Sequence, residues 1–106
     1  MPKYLFQARY TSEGAKGVLA GGGTARRDAV DKAVASAGGK LESFYFAFGD
    51  VDAFVVADLP DDVSAAAMAM AVGASGMSSA RTVKLLTPQD MDKAAKVAVA
   101  YKPPGK

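Results

Sequence analysis

The chain predicts an α+β fold, a ferredoxin-like β-α-β-β-α-β sandwich with an extra C-terminal helix. Three observations carry this. Phe44–Pro60 holds two apolar runs around the tight tetrad Gly49-Asp50-Val51-Asp52 and ends in Pro60-Asp61-Asp62, the pattern of a β-hairpin feeding a helix. One stretch of helical periodicity precedes that hairpin and another follows it. Alternating segments stand outside both, at Lys3–Tyr10 and Ser79–Leu86.

Lys3–Tyr10 turns Tyr4, Phe6, Ala8 and Tyr10 to one side and Leu5, Gln7 and Arg9 to the other. Thr11-Ser12-Glu13 can cap a short helical turn, which Gly14 and Gly17 weaken and Gly21-Gly22-Gly23 ends. Thr24 is expected to cap a helix running to Ala37. Its apolar stripe is Ala25, Ala29, Val30, Ala33, Val34 and Ala37, with Arg27/Asp31 and Asp28/Lys32 paired on the other side. Gly38-Gly39 is its left-handed stop.

Lys40–Phe48 and Ala53–Leu59 are the hairpin strands. Asp61 or Asp62 caps the next helix, whose stripe reads Val63, Ala66, Ala67, Met70, Ala71 and Ala74. Ala65, Met68, Ala69 and Val72 make its other face apolar too, so cover on both sides is expected. Gly73 and Gly76 end it, and Ser79–Leu86 is the fourth strand. Thr87-Pro88-Gln89-Asp90 combines a Thr cap, Pro at the first helical position and an acid at the third, opening a helix to about Tyr101. Residues 1–101 read as one domain and Lys102–Lys106 as a tail.

Composition excludes several chemistries. The absence of Cys removes disulfides and thiolate nucleophiles. The absence of His removes the commonest general base and the usual zinc and haem ligand. Thirteen Lys and Arg against 11 Asp and Glu are interspersed for a net charge of +2, which makes no nucleic-acid stripe. Val63–Ala80 is uncharged, but it is Ala, Gly, Ser and Met, so it reads as a buried or interface helix rather than a membrane span. Met1-Pro2-Lys3-Tyr4 enters a strand pattern with no apolar leader, making the cytoplasm the expected compartment.

In a sandwich of this plan both helices cover one face of the sheet. Phe44, Phe46 and Phe48, with Phe54, Val56, Val83 and Leu85, are expected on the other face, a patch that a second copy would bury about a two-fold axis. That expectation hangs on register, because a one-residue slip inverts every side chain. Gln7, Arg9 and Arg81 have the parity to share the face and orient a small ligand beside Phe44, Phe46 and Phe54; alternatively Arg9 and Arg81 pair with Asp58 or Glu42. Without His, acid–base work would fall to Asp52, Asp58, Tyr45 or Tyr10. Gly49–Asp52 reads as a plain turn ahead of a site, and no third oxygen ligand accompanies Asp50 and Asp52, so neither metal nor cofactor is expected.

An anion site is a further candidate at Gly22, Gly23, Thr24, Arg26 and Arg27, where a glycine-rich loop enters a helix N-terminus. The segment lacks the Gly-Lys-Ser/Thr of a phosphate loop and also reads as a flexible connector. Met68, Met70, Met77 and Met91 read as core filler.

Phe48-Gly49-Asp50-Val51-Asp52-Ala53 followed by Phe54–Asp61 resembles the GYD domain family of small bacterial and archaeal proteins. Lys3–Tyr10, Gly23–Arg27, Arg81-Thr82 and Leu85–Pro88 resemble it as well, so the likeness spans essentially the whole chain. The family's signature tyrosine is Val51 here, a loss if that tyrosine acts chemically and a tolerable exchange if it packs the hairpin. The resemblance implies a ferredoxin-like, dimeric α/β-barrel fold and no particular activity. The expected function is a non-catalytic homo-oligomeric domain, a homodimer or larger, that binds a small ligand or a partner. One alternative is a cofactor-independent oxygenase or isomerase acting on an apolar carbonyl or aromatic compound. Another is a regulatory oligomer binding an anionic metabolite at Gly21–Arg27.

Overall fold

The structure, a computed structural model, describes residues 1–106. Its elements are β1 (Lys3–Tyr10), α1 (Ser12–Gly21), α2 (Gly23–Ser36), β2 (Lys40–Phe46), β3 (Ala53–Asp58), α3 (Asp62–Ala74), β4 (Ser78–Leu85) and α4 (Pro88–Ala95). The strands form one antiparallel sheet in the order β2-β3-β1-β4. The chain is therefore mixed α+β, with α2 and α3 packed on one sheet face.

Local chemistry explains most boundaries. Thr11 caps α1 through its hydroxyl, which accepts from the Gly14 amide, and the helix persists for 10 residues despite its glycines. Gly14 allows the close approach: a Cβ there would strike the Met77 carbonyl. α2 starts two residues earlier than a Thr24 cap predicts. Gly22, at φ +88°, joins it directly to α1, with no side-chain cap. At its other end Gly38 takes φ +86°, and the Gly39 and Gly38 amides donate to the Val34 and Ala35 carbonyls, a full left-handed stop. The expected Arg27/Asp31 and Asp28/Lys32 pairs do not form; Arg27 pairs with its neighbour Asp28 at 3.0 Å.

Asp61 caps α3 by accepting from the Ser64 amide at 2.8 Å. This helix is covered on one side only. Ala65 is buried and Met68, Ala69 and Val72 are half-buried, whereas Val63, Ala66, Ala67, Met70, Ala71 and Ala74 are exposed, so the named stripe points outward. α4 opens on a complete capping box between Thr87 and Asp90 but ends at Ala95, well short of Tyr101. No helix is long and apolar enough to cross a membrane.

The core is small: Tyr4, Phe6, Val34, Val55, Ala57, Leu59 and Ala65. Tyr4 and Phe6 belong to the expected inward row of β1. The β2–β3 register corrects the placement of the phenylalanines. Phe44 faces Val55 and Phe46 faces Ala53, both toward the helices, while Tyr45 faces Phe54 on the uncovered side. Partners across an antiparallel pair share a face, so Phe44 and Phe46 cannot accompany Phe54 and Val56. A bulge at Glu42 lets Leu41, opposite Ala57, point to the helices as well. β2 stops at Phe46, and Phe48 lies fully exposed in the hairpin loop.

Candidate functional site

A cavity of about 310 Å3 lies between the sheet and the two helices above it. Phe6 and Val55 form its floor, Phe44 closes one side, and Val30 with Met68 and Val72 form its roof. The helical period builds that roof. Ala29, Val30 and Ala33 recur on α2, and Met68, Ala71 and Val72 recur on α3, followed by Ser75. Alanine dominates both stripes, so the helices contribute little volume and space is left between them and the sheet.

Arg26 is the one charged side chain on the lining. It stands one helical step before Ala29 and Val30, at the head of the α2 stripe. Its Nε is buried and has no hydrogen-bond partner, and its guanidinium makes no ion pair. The guanidinium carbon sits 5.8 Å from the centre of the Tyr10 ring, a cation–π contact that holds it in place. A buried donor left unpaired costs about 1–3 kcal/mol, and more when it belongs to a charged group. A second cavity of about 310 Å3 shares Tyr10 and Arg26 with the first and is lined by Gly14, Gly17, Gly21 and Gly22 at the α1–α2 junction.

The sequence candidates separate onto different parts of the molecule. Phe44 lines the cavity, and Phe46 packs edge-on against it with ring centres 5.1 Å apart. Phe46 also lies under the α1–α2 junction, where a Cβ on Gly23 would crowd its ring. Gln7, Phe54 and Arg81 lie in one row across the uncovered face with Tyr45, and Arg9 follows Gln7 on β1. The expected ligand set is thus divided by the sheet itself. Arg9 and Arg81 make no ion pair; Asp58 and Glu42 are taken by Lys3 at 2.8 and 3.0 Å. Of the anion-loop residues only Arg26 reaches the cavity. Gly22 and Gly23 serve the helix junction, Thr24 is exposed, and Arg27 is held by Asp28.

The acid–base candidates are engaged elsewhere. Asp52 accepts from the Tyr10 amide at 2.8 Å and so ties the hairpin to β1. Asp58 is on the uncovered face with Lys3, and Tyr45 is exposed there. Tyr10 alone reaches the cavity. A cluster absent from the expectations joins Tyr4, Asp62 and Lys84. The Tyr4 hydroxyl donates to Asp62 at 2.6 Å, and Lys84 donates to the same carboxylate oxygen at 2.9 Å. Donation to Asp62 pushes the Tyr4 phenol up to about 12, and the same bond with that of Lys84 holds Asp62 below the usual carboxylate value. The cluster fastens β1 and β4 to the start of α3.

Arg26 was legible in one respect, as a candidate anion-binding cation of the Gly22–Arg27 loop. Tyr10 was legible as the last inward residue of β1.

Residues 4–95 match the GYD domain, and the chain belongs to that family. No curated protein and no solved structure matches the chain.

Proposed function

We propose that this GYD-domain protein is a non-catalytic, homo-oligomeric small-ligand-binding domain built on the ferredoxin-like plan. The strand order supports that plan. The observation that carries the function is the cavity of about 310 Å3 roofed by α2 and α3, apolar on nearly all sides and bearing one unpartnered cation. Ligand sites are commonly concave and mostly apolar, with a few polar groups that orient the guest. Of the four acid–base candidates Asp52, Asp58 and Tyr45 are held away from this space and only Tyr10, stacked against Arg26, reaches it, which supports binding over proton transfer. The uncovered sheet face, with Leu5, Phe54, Val56 and Val83, supports association of copies.

Native mass spectrometry of protein taken gently from its own host tests both parts. The expected result is an oligomer carrying one reproducible extra mass per chain. An oligomer with no added mass, and with no dye or hydrocarbon probe bound in the cavity, would overturn ligand binding. A stable monomer at micromolar concentration would overturn association.

A further inference from the structure

We propose that the guest of this cavity is an amphipathic carboxylate, its head on Arg26 and its hydrocarbon body between α2, α3 and the sheet. This rests on the ligand-binding reading above and names the ligand's class. Arg26 lacks any protein acceptor, and its buried Nε is one edge of the fork that guanidinium offers to a carboxylate. No second cation lines the cavity, so one negative charge is matched and two are not. A phosphate dianion would leave uncompensated charge in an apolar space, which disfavours it. Tyr10 beneath the guanidinium fixes the fork's orientation. Past the head, Phe44, Val55, Met68 and Val72 present only hydrocarbon, aromatic ring and thioether to the guest.

Titration calorimetry of the full chain with decanoate and with methyl decanoate separates head from body. Decanoate is expected to bind at least about tenfold more tightly than the ester. Arg26→Gln is expected to abolish that preference while keeping ester binding, and Arg26→Lys, which keeps the charge and loses the fork, is expected to restore only part of it. Ala71→Leu, on an exposed helical position that lines the cavity, is expected to weaken both probes with an unchanged circular dichroism spectrum. Equal affinity for acid and ester, or a preference that survives Arg26→Gln, overturns the carboxylate class and leaves a cavity that binds neutral molecules. Binding of neither probe by the folded wild type overturns both.

A separate observation concerns the C-terminal segment, and we infer that it is an arm exchanged with a second copy. Lys96-Val97-Ala98-Val99-Ala100-Tyr101-Lys102 alternates as a strand does, yet Ala98–Pro103 has no helix, strand or turn. No backbone group from Ala98 to Lys102 takes part in a hydrogen bond, and every residue from Met91 onward is exposed. The Cα radius of gyration is 16.8 Å and the longest extent 57 Å, against a radius of about 13 Å for a compact domain of this length.

The same chain carries a complementary surface. β2 and β4 are open sheet edges, and Leu5, Phe54, Val56, Val83 and Leu85 are on the uncovered face. Four strands about 4.8 Å apart and about 7 residues long offer a face of about 450 Å2. Two such faces bury about 900 Å2, short of the roughly 1,200 Å2 of a stable interface. The arms supply the missing area. Sedimentation of the full chain at micromolar concentration is expected to show a dimer. Val97→Asp with Val99→Asp is expected to weaken it by about a hundredfold, with the circular dichroism spectrum preserved. Equal dimerisation of the variant overturns the arm and leaves face-to-face pairing, and a monomeric wild type overturns both.

Discussion

The two faces of the sheet use the same strands for opposite ends. The face under α2 and α3 holds all seven core residues, yet it also retains a cavity with an unpaired cation. The uncovered face holds no core residue. It does carry a satisfied ionic cluster, in which Lys3 joins Asp58 and Glu42, beside open apolar side chains. Polar satisfaction does not follow burial: on the covered side Tyr4, Asp62 and Lys84 bond to one another while the Arg26 Nε has no partner, and on the uncovered face Lys3 is paired while Arg9 and Arg81 are not. Where water can reach, leaving a charge unpaired costs little. Where it cannot, the unpaired Arg26 Nε marks a place that a ligand would complete.

Substitutions that act on one face and spare the other break or sharpen this contrast. The largest expected effect is Leu59→Ala. Leu59 is wholly buried, and leucine truncations in cores cost about 2–5 kcal/mol. Urea unfolding measures it, and a loss below about 1 kcal/mol would show that the helix-side core is too loosely packed to count as one. Next is Thr87→Ala, which removes half of the α4 capping box and should cost about 1 kcal/mol in helix stability. Because α4 has no buried residue, the loss is expected as fraying of α4 by hydrogen exchange, with the sheet amides unaffected.

The pH dependence divides by element rather than by face. Asp61, Asp62 and Asp90 are held below their ordinary value of 3.8, through the Ser64 amide, the Tyr4 and Lys84 donors, and the Thr87 amide respectively. A depressed carboxylate stabilises the fold above its unfolded value, so this contribution is complete above 3.8 and is lost as pH falls through the folded values. Tyr4 behaves oppositely. Raised from 10.0 to about 12, it stabilises below 10.0 and loses that contribution as pH rises through the interval. Lys3, raised above 10.5 by Asp58 and then Glu42, is lost in the same direction. Denaturant midpoints across pH should fall at both ends, and Tyr4→Phe should remove the phenol's share of the alkaline fall. The smallest effect is expected from Arg81→Ala. It touches no ion-pair partner, so the folding stability of the chain should change by no more than about 0.5 kcal/mol.

Much of the fold was legible because the signals are local. Thr87-Pro88-Gln89-Asp90 is a helix start wherever it occurs, since its caps satisfy amides within three residues. Gly38-Gly39 ends α2 for an equally local reason, the positive φ of Gly38. The length of α1 was underestimated, because propensity counts its glycines and not the Thr11 hydroxyl, which accepts from Gly14 and donates toward the Gly76 and Met77 carbonyls. α4 was overextended, because Val97, Val99 and Tyr101 alternate at a period that fits neither a helix nor any neighbour within the chain.

The candidate site was legible in fragments. Phe44 and Arg26 were both named, one for a sheet face and the other for an anion loop. The cavity that unites them with Tyr10 depends on three elements meeting.

By itself the sequence determined the order of strands and helices, the caps of α1, α3 and α4, the inward row of β1 and the absence of His and Cys chemistry. These follow from steric periods of two and 3.6 residues and from side-chain inventory, which need no distant partner. Only the tertiary structure decided which face of α3 is covered, that Phe44 faces Val55 rather than Phe54, and that Arg26 enters a space with no acceptor. Each of those depends on register or packing summed over residues far apart in the chain. A shift of one residue there leaves every local preference intact and exchanges what is buried for what is exposed.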